Sequence, residues 1–147
     1  MYLLLMESRE ELLNYIESNI DGTHYHMALL ISKIYKDKYC VTTENNKDKW
    51  FRFNGQHWET SSSIIHELKI KLSSEIAPII SEVRTKIRNR LINLSNDERS
   101  FEETRMKKMT HIEQMLYNNN HKNNIIKELE SLLYAEKLLE FKPSIRT

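Results

Sequence analysis

Both tryptophans and two of the four phenylalanines fall in one run, Lys49-Trp50-Phe51-Arg52-Phe53-Asn54-Gly55-Gln56-His57-Trp58-Glu59. Aromatic side chains favour a pleated, half-buried surface, and Asn-Gly tolerates the positive φ angles of a type I′ turn, so the run predicts a hairpin. Tyr39-Cys40-Val41-Thr42-Thr43 reads as a further strand, and the polar stretch Glu44-Asn45-Asn46-Lys47-Asp48 after it as a turn. With Trp50 to Phe53 and Gln56 to Thr60 this makes a three-stranded meander. A sheet so small is not stable alone in water, so one face must pack on helices.

The rest of the chain has helical spacing. Ser8-Arg9-Glu10-Glu11 has the form of a capping box, opening a helix to about Asn19 that buries Leu12, Leu13 and Ile16. Asp21-Gly22-Thr23 supplies a turn and an N-cap for a second helix ending near Lys36, with Met27, Leu30, Ile31 and Ile34 on its apolar face. After Ser61-Ser62-Ser63, apolar residues from Ile65 to Leu94 recur every three or four positions. Pro78 sits inside that segment, lacks an amide hydrogen and crowds the preceding turn, which predicts a kink or break near Ala77. Asp97 is expected to cap a helix carrying Phe101, Met109, Ile112 and Leu116. Asn118-Asn119-Asn120 marks a turn, and a last helix runs from about Lys122 to Phe141, where Pro143 ends it. The expected fold class is α+β, mainly α: a helical domain with a small three-stranded antiparallel aromatic meander inserted after the second helix.

Two glycines in 147 residues exclude the common nucleotide-binding loops. A Walker A loop needs two glycines five apart before Lys and Ser or Thr, and a dinucleotide fingerprint needs three; Gly22 and Gly55 can form neither. The single cysteine, Cys40, excludes an internal disulfide and multi-cysteine zinc sites, and its expected role is packing in a strand. The apolar start Tyr2-Leu3-Leu4-Leu5-Met6 is far shorter than the roughly 20 residues of a membrane span. No membrane association and no export are expected; the setting read from these features is intracellular.

Lysine plus arginine number 22 against 21 acidic residues, a net charge of +1, so any nucleic-acid contact must be local. The best candidate surface combines Arg84, Lys86, Arg88 and Arg90 on the long helix with Arg105, Lys107 and Lys108 on the next. At 100° per residue Arg84 and Arg88 lie together, while Lys86 and Arg90 lie on another side. A solvated face with scattered ion pairs is the competing reading. Exposed Trp50, Phe53 or Trp58 could stack on unpaired bases. Alternation puts Trp50 and Arg52 on one face and Phe51 and Phe53 on the other, so only part of the cluster can face solvent, and packing is the favoured role. His24 and His26, spaced i, i+2, point to different sides of a helix and complete no ligand set, so no metal is assigned. No nucleophile with an orienting partner is visible, so no catalytic residue is assigned either.

Taken in order, Tyr35-Lys36-Asp37-Lys38-Tyr39, Trp50-Phe51-x-Phe53, Trp58, Asn123-Asn124-Ile125-Ile126-Lys127-Glu128 and Leu133-Tyr134 resemble the module that precedes the superfamily 3 AAA+ helicase core in poxvirus-type and phage or plasmid primase-helicases. The pattern departs at Gln56 and His57, where many relatives carry His-Arg. The resemblance covers about residues 22–141 and divides the chain into an N-terminal helical segment (1–21), the helicase-preceding module (22–141) and a tail (142–147). It implies viral or mobile-element DNA replication, with a non-catalytic collar or connector that aids ring assembly and guides single-stranded DNA. Its implied partners are an AAA+ helicase segment, in the same or another polypeptide, single-stranded DNA, and further copies of itself. ATP and Mg are expected only in that helicase domain, at a replication site in the host cell. Within this chain the reading assigns Trp50, Phe51, Phe53 and Trp58 to architecture and Arg84, Arg88, Lys107 and Lys108 to DNA. A free-standing helical protein-interaction module is the alternative.

Overall fold

The computed structural model describes residues 9–134. Helices α1 (Arg9–Asn19) and α2 (His24–Ile34) lead into strands β1 (Tyr39–Glu44), β2 (Lys47–Phe53) and β3 (Trp58–Thr60). A long third helix, α3, joins α-helical halves Ile64–Lys71 and Ala77–Leu91 through a π-helical turn, Leu72–Ile76; α4 (Asn96–Met115) and α5 (Asn119–Tyr134) follow. The fold is α+β, mainly α, with the small antiparallel sheet inserted after the second helix. No helix among the described residues is long and apolar enough to cross a membrane.

The start of α2 forms as its sequence dictates. Thr23 is extended (φ −76°, ψ 153°) and its hydroxyl accepts from the His26 amide, while Asp21 Oδ1 accepts from the Thr23 amide at 3.0 Å. Leu13 and Ile16 of α1 are buried as expected; Leu12 is partly buried against the same core. Ser8, the expected cap, lies outside the described residues, as do Leu138, Leu139, Phe141 and Pro143.

The meander has the order β1-β2-β3, with Val41 opposite Trp50, Cys40 opposite Phe51, and Phe53 opposite Trp58. The positive-φ hairpin is at Asn45-Asn46 (φ 52° and 64°), not at Asn54-Gly55. Two consecutive positive φ angles suit the two-residue turn that matches strand twist. The β2–β3 connection is instead a four-residue loop over 54–57. There the Asn54 side chain accepts from the Gln56 and His57 amides, and Gly55 adopts φ 101°. The sheet is buried on both faces. Tyr39, Val41 and Trp50 join the main helical core, while Phe51, Trp58 and Cys40 form a second small cluster with Phe53 against it. The four aromatics assigned to architecture are therefore packed, Phe53 less fully than the others.

Pro78 does not break α3. The helix absorbs it in the π turn immediately before it, where the Ala77 amide bonds the Leu72 carbonyl, and Pro78 then opens the second α-helical half. A proline lacks the donor that an unbroken α ladder would require and crowds the carbonyl four residues back, which a one-residue widening relieves. The helix ends at Leu91, earlier than the apolar repeat suggests. Ser95, extended at φ −67° and ψ 165°, holds the N-cap position of α4, with Asp97 inside the first turn. The last helix starts at Asn119, earlier than the expected Lys122, and Asn118 caps it by accepting from the His121 amide at 3.0 Å.

Candidate functional site

Helices α3 and α4 run antiparallel, as their cross-links show: Arg84 pairs with Glu113, and Arg90 pairs with Glu102 at 2.8 Å. Arg84 also donates to Ser81 Oγ at 3.2 Å, and little of its side chain is exposed. Arg90 bonds Glu17 of α1 as well, and Arg105 reaches the same carboxylate at 3.2 Å. Burial pushes the Glu17 carboxyl up, but the hydrogen bond from Arg90 and the charges of Arg90, Arg105 and Lys86 outweigh it and hold it below its ordinary value. Lys86 donates to Glu10 at 2.7 Å and to Asn14 at 2.6 Å. Arg84, Lys86, Arg90 and Arg105 thus tie α1, α3 and α4 together.

The remaining basic residues face outward. Arg88, Lys107 and Lys108 are exposed and make no ion pair among the described residues. Arg88 and Lys107 flank one cleft of about 450 Å³ between the C-terminal end of α3 and the middle of α4, lined also by Leu91, Ile92, Arg99, Glu103 and Met106. Arg99 is engaged within it, bonding Glu103 and the Leu91 carbonyl, each at 3.2 Å. Of the four residues assigned to DNA, the fold brings Arg88 and Lys107 to this cleft. It leaves Lys108 exposed outside the cleft lining and turns Arg84 inward to Glu113.

A second polar cluster holds the sheet to α3. The Tyr39 hydroxyl donates to Glu67 at 2.7 Å and accepts from Lys71 Nζ at 2.8 Å; Arg52 bridges Glu67 at 2.7 Å and Glu59 at 2.8 Å. The Tyr35 hydroxyl donates to Glu75 at 2.8 Å. Burial, with these carboxylates as neighbours, raises both tyrosines far above the ordinary phenol range. Burial and the nearby Lys38 bring the Lys71 ammonium down to about 8. Trp50 Nε1 donates to Glu130 of α5 at 3.0 Å, while burial raises that carboxyl. Reading the sequence missed this cluster. Glu67, Lys71 and Glu75 at successive steps of four, beside two predicted strands that carry Tyr39 and Arg52, were the available signal.

His24 Nε2 lies 2.9 Å from His121 Nδ1, joining α2 to α5. His26 Nδ1 lies 2.6 Å from Asp21 Oδ1. Among the described residues no three His, Cys, Asp or Glu side chains converge as a metal site.

The model of one protein family, described as D5 N terminal like, matches residues 28–143. The match begins within α2 and runs through the sheet, α3, the α3–α4 cleft and α5. Comparison with curated proteins returned no match.

Proposed function

The chain belongs to the D5 N terminal like family, the N-terminal region of D5-like primase-helicase proteins, and from that premise we propose that it is a non-catalytic collar or connector for the helicase motor of such a protein. Its work is assembly: it joins the superfamily 3 AAA+ segment, in the same or a separate polypeptide, and helps that segment form a ring. ATP and Mg belong to the motor in this reading, and the site of action is a viral or mobile-element replication complex inside the host cell. The family match carries the proposal. The architecture supports it, because the family-pattern residues Tyr35, Tyr39 and Trp50 serve as packed and hydrogen-bonded ties between sheet and helices, as a rigid spacer requires.

Light scattering of the chain mixed with a D5-like AAA+ segment tests this. Co-elution of the two, with a larger ring than the motor forms alone, is the expected result; a motor whose assembly ignores the chain rejects it. The unpaired cations Arg88, Lys107 and Lys108 favour a second reading, guidance of single-stranded DNA. Anisotropy of a labelled strand at about 50 and 200 mM salt should then show salt-sensitive binding that Arg88→Ala with Lys107→Ala weakens. Strand binding absent at the lower salt leaves assembly as the role. A free-standing interaction module would bind neither the motor nor DNA.

A further inference from the structure

The α3–α4 cleft has a floor and a rim of different chemistry. Leu91 and Met106 make the floor, and Ile92, just past the end of α3 and 75 % exposed, adds a large aliphatic side chain beside it. Arg88 and Lys107 stand on the rim from opposite helices, with no carboxylate partner among the described residues. The one acid of the rim, Glu103, is already paired with Arg99. A cleft of about 450 Å³ has room for one or two large side chains.

We infer that this cleft binds an acidic amphipathic helix, seating an apolar side chain on Ile92, Leu91 and Met106 while its carboxylates pair with Arg88 and Lys107. The inference rests on the collar reading in one respect: the helix belongs to the motor that the chain serves. Charge complementarity selects an acidic occupant, since two unpaired cations flank an apolar floor and attract carboxylates from both sides. A groove between two antiparallel helices suits a third helix that presents apolar residues at i and i+4. Nucleic acid fits less well, because unpaired bases are held by aromatic faces and this floor is aliphatic. The nearest exposed aromatic on α4, Phe101, points to the opposite side of that helix, where the Arg105 guanidinium lies 5.3 Å from its ring centre.

The test titrates the full chain into a fluorescein-labelled, Glu-rich helical peptide carrying two leucines four residues apart. Saturable binding is expected, with about a tenfold loss for Ile92→Glu, a loss of the size that a central apolar contact carries. Arg88→Glu with Lys107→Glu should abolish binding of this peptide and create binding to its Lys-rich counterpart. Ile92, Arg88 and Lys107 are all exposed, so circular dichroism should report an unchanged fold. A peptide that fails to saturate the wild-type chain, one that binds Ile92→Glu equally well, or one displaced by an oligothymidine each overturns the inference. Motor association that survives Ile92→Glu removes the cleft from assembly and leaves the collar standing. Peptide binding without any motor association rejects the collar and leaves the chemistry of the cleft.

Discussion

Glu17 has only 7 % of its side chain exposed and holds two guanidinium groups, from Arg90 of α3 and Arg105 of α4. Its carboxyl lies below the ordinary 4.5, so on acidification the unfolded chain takes up the proton first. The stabilisation is therefore complete above about pH 4.5 and disappears as the pH falls through the lower, folded value. Glu17→Gln should cost about 2 kcal/mol at pH 7, the scale of a charge-assisted hydrogen bond. Urea unfolding should find the gap between variant and wild type closing below pH 4.5, and a gap that persists at low pH would show that Glu17 acts by shape and not by charge. Lys71 has the same linkage sign from the opposite charge: its charged form opposes folding, and raising the pH relieves that cost. Its ammonium is pushed from 10.5 to about 8, so the folded chain sheds its proton first and this group favours folding progressively between about pH 8 and 10.5. Replacing Lys38 by Gln removes a neighbouring positive charge and should move the Lys71 midpoint upward by NMR titration; an unmoved midpoint would leave burial as the whole cause. These roles were not legible in the sequence. Arg84 and Arg88 share a helical face by spacing, yet one meets Glu113, 29 positions away, and the other meets water. Periodicity assigns a residue to a face, while its partner depends on which helix is laid against that face.

Among the elements, the hairpin and the long helix were read correctly in kind and less well in detail. The sequence contains two turn signals, Asn45-Asn46 and Asn54-Gly55, and the usual preference puts the tight turn at Asn-Gly. The sheet reverses that choice because β1 and β2 pair over six residues, from Tyr39 opposite Arg52 to Glu44 opposite Lys47, leaving only two residues to close the ribbon. Pro78 was legible as a disturbance, but its relief by a π turn was not, since the repeat Leu68, Leu72, Ile76, Ile80 looks unbroken. That turn carries one residue more than an α ladder needs, which gives a coupled prediction. Deleting Ser74, an exposed member of the turn, should restore α geometry while setting the Pro78 ring against the carbonyl four residues back, at a cost of about 3 kcal/mol. The same deletion combined with Pro78→Ala should cost much less, and a double-mutant cycle by urea unfolding measures the difference. Equal costs with and without the proline would separate the π turn from Pro78.

At the scale of the molecule, the family match begins at residue 28, yet the core begins in α1. Leu13, Ile16 and Ile20 are 5, 0 and 1 % exposed and belong to the same cluster as Val83 and Ile87 of α3. Burying a large aliphatic side chain contributes about 1.5–3 kcal/mol, so these three supply an amount comparable with the roughly 5–15 kcal/mol by which a domain is stable at all. The chain should unfold in a single transition with near- and far-ultraviolet circular dichroism coincident. A chain that starts at Asp21 should retain helix but lose the cooperative near-ultraviolet change; a sharp transition at an unchanged temperature would instead make α1 an appendage. Charge follows the same boundary. Glu10 and Glu17 are the α1 partners of Lys86, Arg90 and Arg105, so removing α1 takes the carboxylate partner from Lys86 and leaves Arg90 and Arg105 sharing Glu102 alone. The shortened chain should therefore bind single-stranded DNA more tightly, and with a steeper salt dependence, than the full chain. Anisotropy titrations of both lengths at two salt concentrations compare them, and equal slopes would mean that α1 leaves the charge facing the strand unchanged.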